Sequence, residues 1–192
     1  MTGKTHKAFG IAAGLGVLSI PQIRELFISN TVSVNEAATA GVLFMAGDIL
    51  GSLFNDADSE DSAAGWWLYP FLRKFYEKDR SKLAKMFWHR HSLHSVWMVL
   101  ALITLIVVIF PIIPFMVATV PLGFVVGLAS HIFSDWIMSR VYLFSPISEK
   151  GFSLLHLEGE RHKKARNVCD KVFFIFSLLA DAFLVARGVI VW

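Results

Sequence analysis

Apolar residues along the chain fall into five long segments separated by polar connections. The segments cover residues 8–28, 37–54, 97–110, 115–132 and 172–192. With their flanks they approach the roughly 20 residues that a helix needs to cross a bilayer. The first two are less uniform, because Pro21 interrupts the first and Asp48 the second. The pattern predicts five helical segments, called A to E in chain order.

Composition agrees with this pattern. Hydrophobic residues make up 55% of the chain and the mean hydropathy is +0.58, more than a soluble globular domain usually carries. No repeat, low-complexity tract or linker divides the 192 residues. We therefore expect an all-α integral membrane bundle of four to five transmembrane helices, forming a single domain over residues 1–192.

Basic residues indicate the orientation of this bundle. Apart from Lys4 and Lys7 at the start, almost all of them lie in the connections 55–90 and 140–171, whereas 30–36 and 111–114 hold none. If every segment crosses once, the basic connections share one side, which the positive-inside rule makes cytoplasmic. We expect a protein of a bacterial or archaeal cytoplasmic membrane and no nucleic-acid partner. A signal peptide is the alternative for segment A, although no small-residue cleavage site is evident.

The connection between segments B and C contains a stretch in which aromatic and basic residues alternate, GWWLYPFLRKFYEKDRSKLAKMFW. This pattern is typical of an amphipathic segment at the membrane interface, with rings at headgroup depth and cations facing anionic lipid. The expected partners are membrane lipids. Two interpretations stay open: the stretch holds a lipid substrate, or it only anchors the fold.

Polar residues within or beside the apolar segments are the candidates for chemistry. The one cysteine, Cys169, excludes an internal disulfide and a cysteine-based zinc cluster, so a metal would need His and carboxylate ligands. His131 and Asp135 are four residues apart and share one helix face, where they could bind an ion or form a structural hydrogen bond.

In the five-segment topology the candidates all fall on one side of the membrane. They are His6 before segment A, Asp48, Asp56 and Asp58 at the end of B, His89 and His94 at the start of C, and His131 and Asp135 at the end of D. The simpler interpretation of HRHSLHS is a basic helix entrance capped by Ser92. An EF-hand is excluded, because Asp61 and Trp67 occupy its Gly and Glu positions. His156, Glu158, Glu160 and His162 offer further ligands or a solvated surface.

The order of four motifs resembles the YdjM-like family of membrane-bound metal-dependent hydrolases. The motifs read GKTHKAFG, FNDADSEDS, HRHSLHS and ASHIFSDWIMSRVYLFSP. The chain departs from the family pattern at Asn55 and Ser59, where Pro and His are usual, and at His91 and Leu93, where Gly and Thr are usual. All ligand-type residues are retained. A looser similarity links the family to zinc-dependent phospholipases C, in which a His-xxx-Asp pair binds and bridges zinc.

The resemblance implies a His/Asp centre for one or two divalent ions, zinc or manganese, and a hydrolytic activity. The implied metal ligands are His6, Asp58, His94, His131 and Asp135. Asp56 or His89 would be the general base or orient a ligand, and Arg90 would stabilise charge on a phosphate. A phosphoester of a lipid suits such a site. The alternatives are a metal-binding or transport protein with a polar path through Asp48, His131 and Asp181, and a non-catalytic bundle with a structural metal.

Overall fold

The structure is a computed structural model that describes residues 3–58, 62, 92–157 and 159–187. Six α-helices lie in this part of the chain: α1 Gly3–Leu18, α2 Pro21–Ser29, α3 Val34–Phe54, α4 Val96–Ile109, α5 Phe115–Met138 and α6 Lys163–Ala186. Single 3-10 turns cover Asn55–Asp58, Ser92–His94 and Glu160–His162. The only β pairing among the described residues is an isolated bridge between Val141 and Phe152. The predicted all-α fold is confirmed.

Local sequence explains where the helices begin. Pro21 lacks a backbone N–H and opens α2, so segment A consists of two helices bent by 74° instead of one. Ser33 caps α3 by accepting a hydrogen bond from the Glu36 N–H. Ser95 caps α4 in the same way through the Met98 N–H, so the expectation that Ser92 is the cap was wrong by one turn.

The helices differ in their ability to cross a membrane. By length and composition Val34–Ala57 and Phe115–Met138 qualify, and the bent pair α1 and α2 would add a third span. Helix α4 is apolar but has only 14 residues. These results concern the described residues alone, so the expected four to five crossings stay a prediction.

Glycines hold α3 and α5 together as the most extensive helix pair in the described part. A Cβ atom on Gly47 would lie 2.0 Å from the Val120 carbonyl oxygen, and one on Gly51 would lie 2.0 Å from that of Phe124. The two helices therefore run in the same direction with their backbones touching, as in glycine-mediated membrane helix pairs. As a result α3 and α5 end at the same side of the bundle.

The other helices complete this arrangement. Gly10 of α1 faces Ser52 and Gly14 faces Asp48, so α1 runs antiparallel to α3 and starts where α3 ends. At the opposite side an apolar cluster forms around Leu18, Phe27, Ala40 and Phe44. The polar candidates are thus gathered at the end of the bundle that contains the start of α1 and α4 and the ends of α3 and α5.

Candidate metal centre

Four of the candidate residues meet at this end of the bundle. Asp56, His94, His131 and Asp135 each offer one ligand atom, and these atoms all lie within 4.8 Å of one another. Zinc ligands lie about 2.0–2.2 Å from the ion, so the donors around a tetrahedral zinc are separated by roughly 3.4 Å. A single ion therefore fits this group after a small side-chain adjustment.

Backbone and side-chain contacts explain why these residues converge. The four-residue spacing places His131 and Asp135 on one face of α5. The Asn55 side-chain amide donates to the Leu128 carbonyl at 3.1 Å, which fixes the turn that carries Asp56 against α5. The Val96 N–H donates to the Leu143 carbonyl at 2.9 Å, which fixes the start of α4 next to His94.

The environment of His131 defines its tautomer. Its Nδ1 lies 2.6 Å from the Ser52 carbonyl oxygen, which only accepts hydrogen bonds, so Nδ1 carries the proton. Its Nε2 makes no hydrogen bond to the described residues and lies 3.4 Å from Asp56 Oδ1 and 3.7 Å from Asp135 Oδ2. In the neutral ring this nitrogen presents a lone pair to two carboxylates. A cation between them makes that arrangement favourable, and a carbonyl partner on the other nitrogen is the usual support of a metal-binding histidine.

His6 is oriented by a similar chain of contacts. The Ser134 hydroxyl donates to the His131 carbonyl at 2.8 Å, so it accepts from His6 Nδ1, also at 2.8 Å. This leaves the lone pair of His6 Nε2 facing Asp135 Oδ1 at 3.3 Å. The rings of His6 and His131 are stacked at 3.7 Å, an arrangement that opposes protonation of both. His6 thus lies beside the group of four, and its role as a ligand stays a prediction.

The two oxygens of Asp135 face different histidines. Oδ1 faces His6, whereas Oδ2 lies 3.6 Å from His94 Nε2 and 3.7 Å from His131 Nε2. A carboxylate with this geometry can join two ions. The described donors provide four ligand atoms for one ion, and the number of ions stays a prediction.

The centre is buried but has one accessible member. The side chains of His94, His131 and Asp135 are at most 2% exposed, whereas that of Asp56 is 20% exposed. Catalytic metal sites keep a coordination position open to water or substrate, while structural sites are closed by protein ligands. Asp56 marks the side from which a substrate could approach.

Several predicted roles cannot be placed in this geometry. The side chain of Asp58, the residues His89 and Arg90, and the aromatic and basic stretch from Gly65 to Trp88 lie outside the described part of the chain. His156 is not one of the four grouped residues, and its two ring nitrogens pair with Ser153 at 2.7 Å and Arg140 at 3.0 Å. That pairing favours the surface interpretation of His156.

Sequence reasoning missed the residues that support the ligands. Gly47 and Gly51 on α3, and Gly123 and Gly127 on α5, each form a Gly-xxx-Gly pair that is visible in the sequence and typical of close membrane helix contacts. Ser52 acts through its backbone carbonyl, which no sequence pattern reveals.

The family comparison covers nearly the whole chain. The model of the family described as YdjM inner membrane protein matches residues 1–188. No curated protein and no solved structure matches the chain. The family and the apolar helices agree with a protein of the inner membrane. The chain belongs to the YdjM inner membrane protein family.

Proposed function

We propose that this protein is a membrane-bound metal-dependent hydrolase that cleaves a phosphoester at the Asp56, His94, His131 and Asp135 centre. The observation that carries the proposal is the close grouping of these four ligand atoms, in which His131 Nε2 faces two carboxylates and only Asp56 is partly exposed. The family match and the apolar helices support the membrane location.

The proposed metal ligands and the residues that orient them have different roles. A zinc or manganese ion in this group supplies Lewis acidity, which lowers the pKa of water and polarises a phosphoryl oxygen. Ser52 keeps His131 in the tautomer that binds through Nε2, and Ser134 does the same for His6. Asp56 belongs with the ligands by position, which favours His89 over Asp56 as the general base. His89 as base and Arg90 as the phosphate-charge partner both remain predictions.

A negatively charged substrate suits the surroundings of the centre. Arg140 follows α5 at the same end of the bundle. Helix α6 also starts at this end, because Phe173 contacts Phe9 and Leu184 packs on the opposite apolar cluster; its first residues include Lys163 and Lys164. These cations would attract an anionic headgroup, and by the positive-inside rule they support the proposal that the centre faces the cytoplasm.

The surroundings of Asp48 bear on the transport alternative. Asp48 is fully buried, and its carboxylate oxygens make no hydrogen bonds to the described residues. A Cβ atom on Gly127 would lie only 1.9 Å from its backbone oxygen, so α3 and α5 are closed against each other at this point. The Asp48 carboxylate lies instead beside Gly10 and Gly14 of α1, so a polar path from Asp48 would run along α1. The 20% exposure of Asp56 favours a catalytic over a purely structural metal.

Metal content tests the proposal first. We expect about one equivalent of zinc or manganese in detergent-purified wild type, as measured by elemental mass spectrometry, and its loss in His131→Ala and Asp135→Ala. His156→Ala is the matched control, because it removes a histidine outside the centre and should retain the metal. Metal-loaded wild type should then hydrolyse phosphoesters. A wild type that cannot be loaded, or a loaded protein inactive on a broad phosphoester panel, would refute the proposal.

A further inference from the structure

An apolar pocket, open to the surface at Ala129 and Phe133, lies between α4 and α5. It has a volume of about 380 Å³ and is lined by Val96 and Val99 of α4, by Ala129, Ile132, Phe133 and Trp136 of α5, and by Leu143. Ligand-binding pockets typically enclose roughly 300–1,000 Å³, so this one is large enough for part of a small molecule. None of its lining residues is charged, and no role in the metal centre accounts for it.

Helix α5 contributes residues both to the pocket and to the metal centre. The pocket residues Ala129, Ile132, Phe133 and Trp136 follow helical spacing along one face. His131 and Asp135 immediately precede Ile132 and Trp136 in the chain, so a rotation of about 100° around the helix separates each of these two metal-site residues from the pocket residue that follows it.

A second contact fixes the other wall of the pocket. The Val96 N–H donates to the Leu143 carbonyl at 2.9 Å, and Val96 follows His94 by two residues. Both walls of the pocket thus begin two residues from a residue of the metal centre, at Val96 and Ala129. A ligand that spans both sites must be anionic at one end and apolar along the rest.

We propose that the pocket binds one hydrocarbon chain of an anionic lipid whose phosphate lies at the metal centre. The position of the phosphate at the metal centre rests on the proposed function. The binding of the hydrocarbon chain, called the lipid-chain site below, rests on the pocket alone. The basic residues Arg140, Lys163 and Lys164 at this end of the bundle complement the anionic headgroup. The substrate class is then a lipid phosphoester, and the pocket selects substrates with a chain over small soluble phosphoesters.

Lipid retention tests the binding of the hydrocarbon chain in the pocket and does not require enzymatic activity. Delipidated protein is mixed with a phosphatidic acid, and the bound lipid is counted by native mass spectrometry. We expect one retained lipid in the wild type and about tenfold lower retention in Ala129→Phe, since a ring in the pocket competes with the chain. Val99→Phe obstructs the opposite wall and should act alike. Val117→Phe, a 55% exposed position on α5 outside the pocket, is the matched control.

The outcomes separate the inference from the proposed function. Equal retention in wild type and both pocket variants, at unchanged metal content, would overturn the lipid-chain site. The same result is expected if residues 63–91 of the protein occupy the pocket. Equal loss in Val117→Phe would show only lipid bound around the helices and would overturn the lipid-chain site too. Pocket-dependent retention in a protein that hydrolyses no phosphoester would support the lipid-chain site and refute the hydrolase.

An activity ratio gives a second readout once hydrolysis is observed. We expect Ala129→Phe to lower hydrolysis of phosphatidic acid about tenfold relative to bis(4-nitrophenyl) phosphate, which has no chain. An unchanged ratio would contradict the lipid-chain site but would not contradict the proposed hydrolase activity.

Discussion

The contact between α3 and α5 sets the geometry of the centre, and Gly127→Ala is its sharpest test. The added Cβ atom would lie 1.9 Å from the Asp48 carbonyl oxygen and 2.7 Å from the Ser52 nitrogen. Carbon and oxygen in ordinary contact are about 3.3 Å apart, so the helices must separate by roughly 1.4 Å at this point. Both obstructing atoms belong to backbone and cannot rotate away.

This separation acts directly on the metal ligands. The Ser52 carbonyl accepts from His131 Nδ1 at 2.6 Å, one turn from Gly127, and an added ~1.4 Å puts the pair beyond the roughly 3.2 Å limit of a good hydrogen bond. It also moves Asp56 away from His131 and Asp135, although metal sites tolerate only about 0.2 Å. Loss of such support typically lowers metal affinity about 10- to 100-fold, and overpacking costs about 1–3 kcal/mol of folding stability.

The assay is a zinc affinity measurement by competition with a chelating dye in detergent, together with the thermal unfolding temperature. Gly16→Ala is the matched control, because its Cβ would have no heavy atom within 4 Å and alanine favours the helix. We expect zinc affinity to fall in Gly127→Ala and to stay unchanged in Gly16→Ala. Wild-type affinity in a folded Gly127→Ala protein would show that the glycine contact does not position the ligands.

Three further substitutions examine the surroundings of the centre. Ser134→Ala removes the partner of His6 Nδ1 and should lower zinc affinity about tenfold by the same dye competition; unchanged affinity would place His6 outside the metal site. Asn55→Ala deletes the buried bond to the Leu128 carbonyl and should lower stability by about 1–3 kcal/mol, measured by chemical unfolding. Asp48→Asn, far from the ligands along α3, should retain the bound metal and phosphoester hydrolysis, and loss of both would revive the polar path of a transporter.

Much of the fold could be predicted because membrane helices are encoded in long apolar runs. The prediction of segment A as one helix failed where local chemistry intervened, because Pro21 splits it into two helices. Segments B and D run in the same direction if every segment crosses once, and this was sufficient to predict that the ends of α3 and α5 lie at the same side. The order of the segments does not tell how closely the two helices approach, which depends on backbone contacts at glycines such as Gly51.

The candidate site, like the fold, could be predicted from the sequence only in part. The pair His131 and Asp135 could be predicted from its spacing alone, because four residues complete about one helical turn. The position of Asp56 could not, since only the 3-10 turn after α3 brings its carboxylate to within 3.4 Å of His131 Nε2. The tautomers of His131 and His6 depend on Ser52 and Ser134, each of which lies far along the chain from the histidine that it supports.

Charge balance leads to a last prediction, the number of ions at rest. With His6, His94 and His131 neutral, the buried centre carries two negative charges from Asp56 and Asp135, and burying unpaired charge is strongly unfavourable. One divalent ion balances these charges, whereas a second would leave an excess of two positive charges among buried groups. A phosphate that enters from the Asp56 side would compensate this excess at His6 and Asp135 Oδ1. We therefore expect one equivalent of zinc by isothermal titration without phosphate and a second with inorganic phosphate present. Two equivalents in its absence would contradict this charge balance.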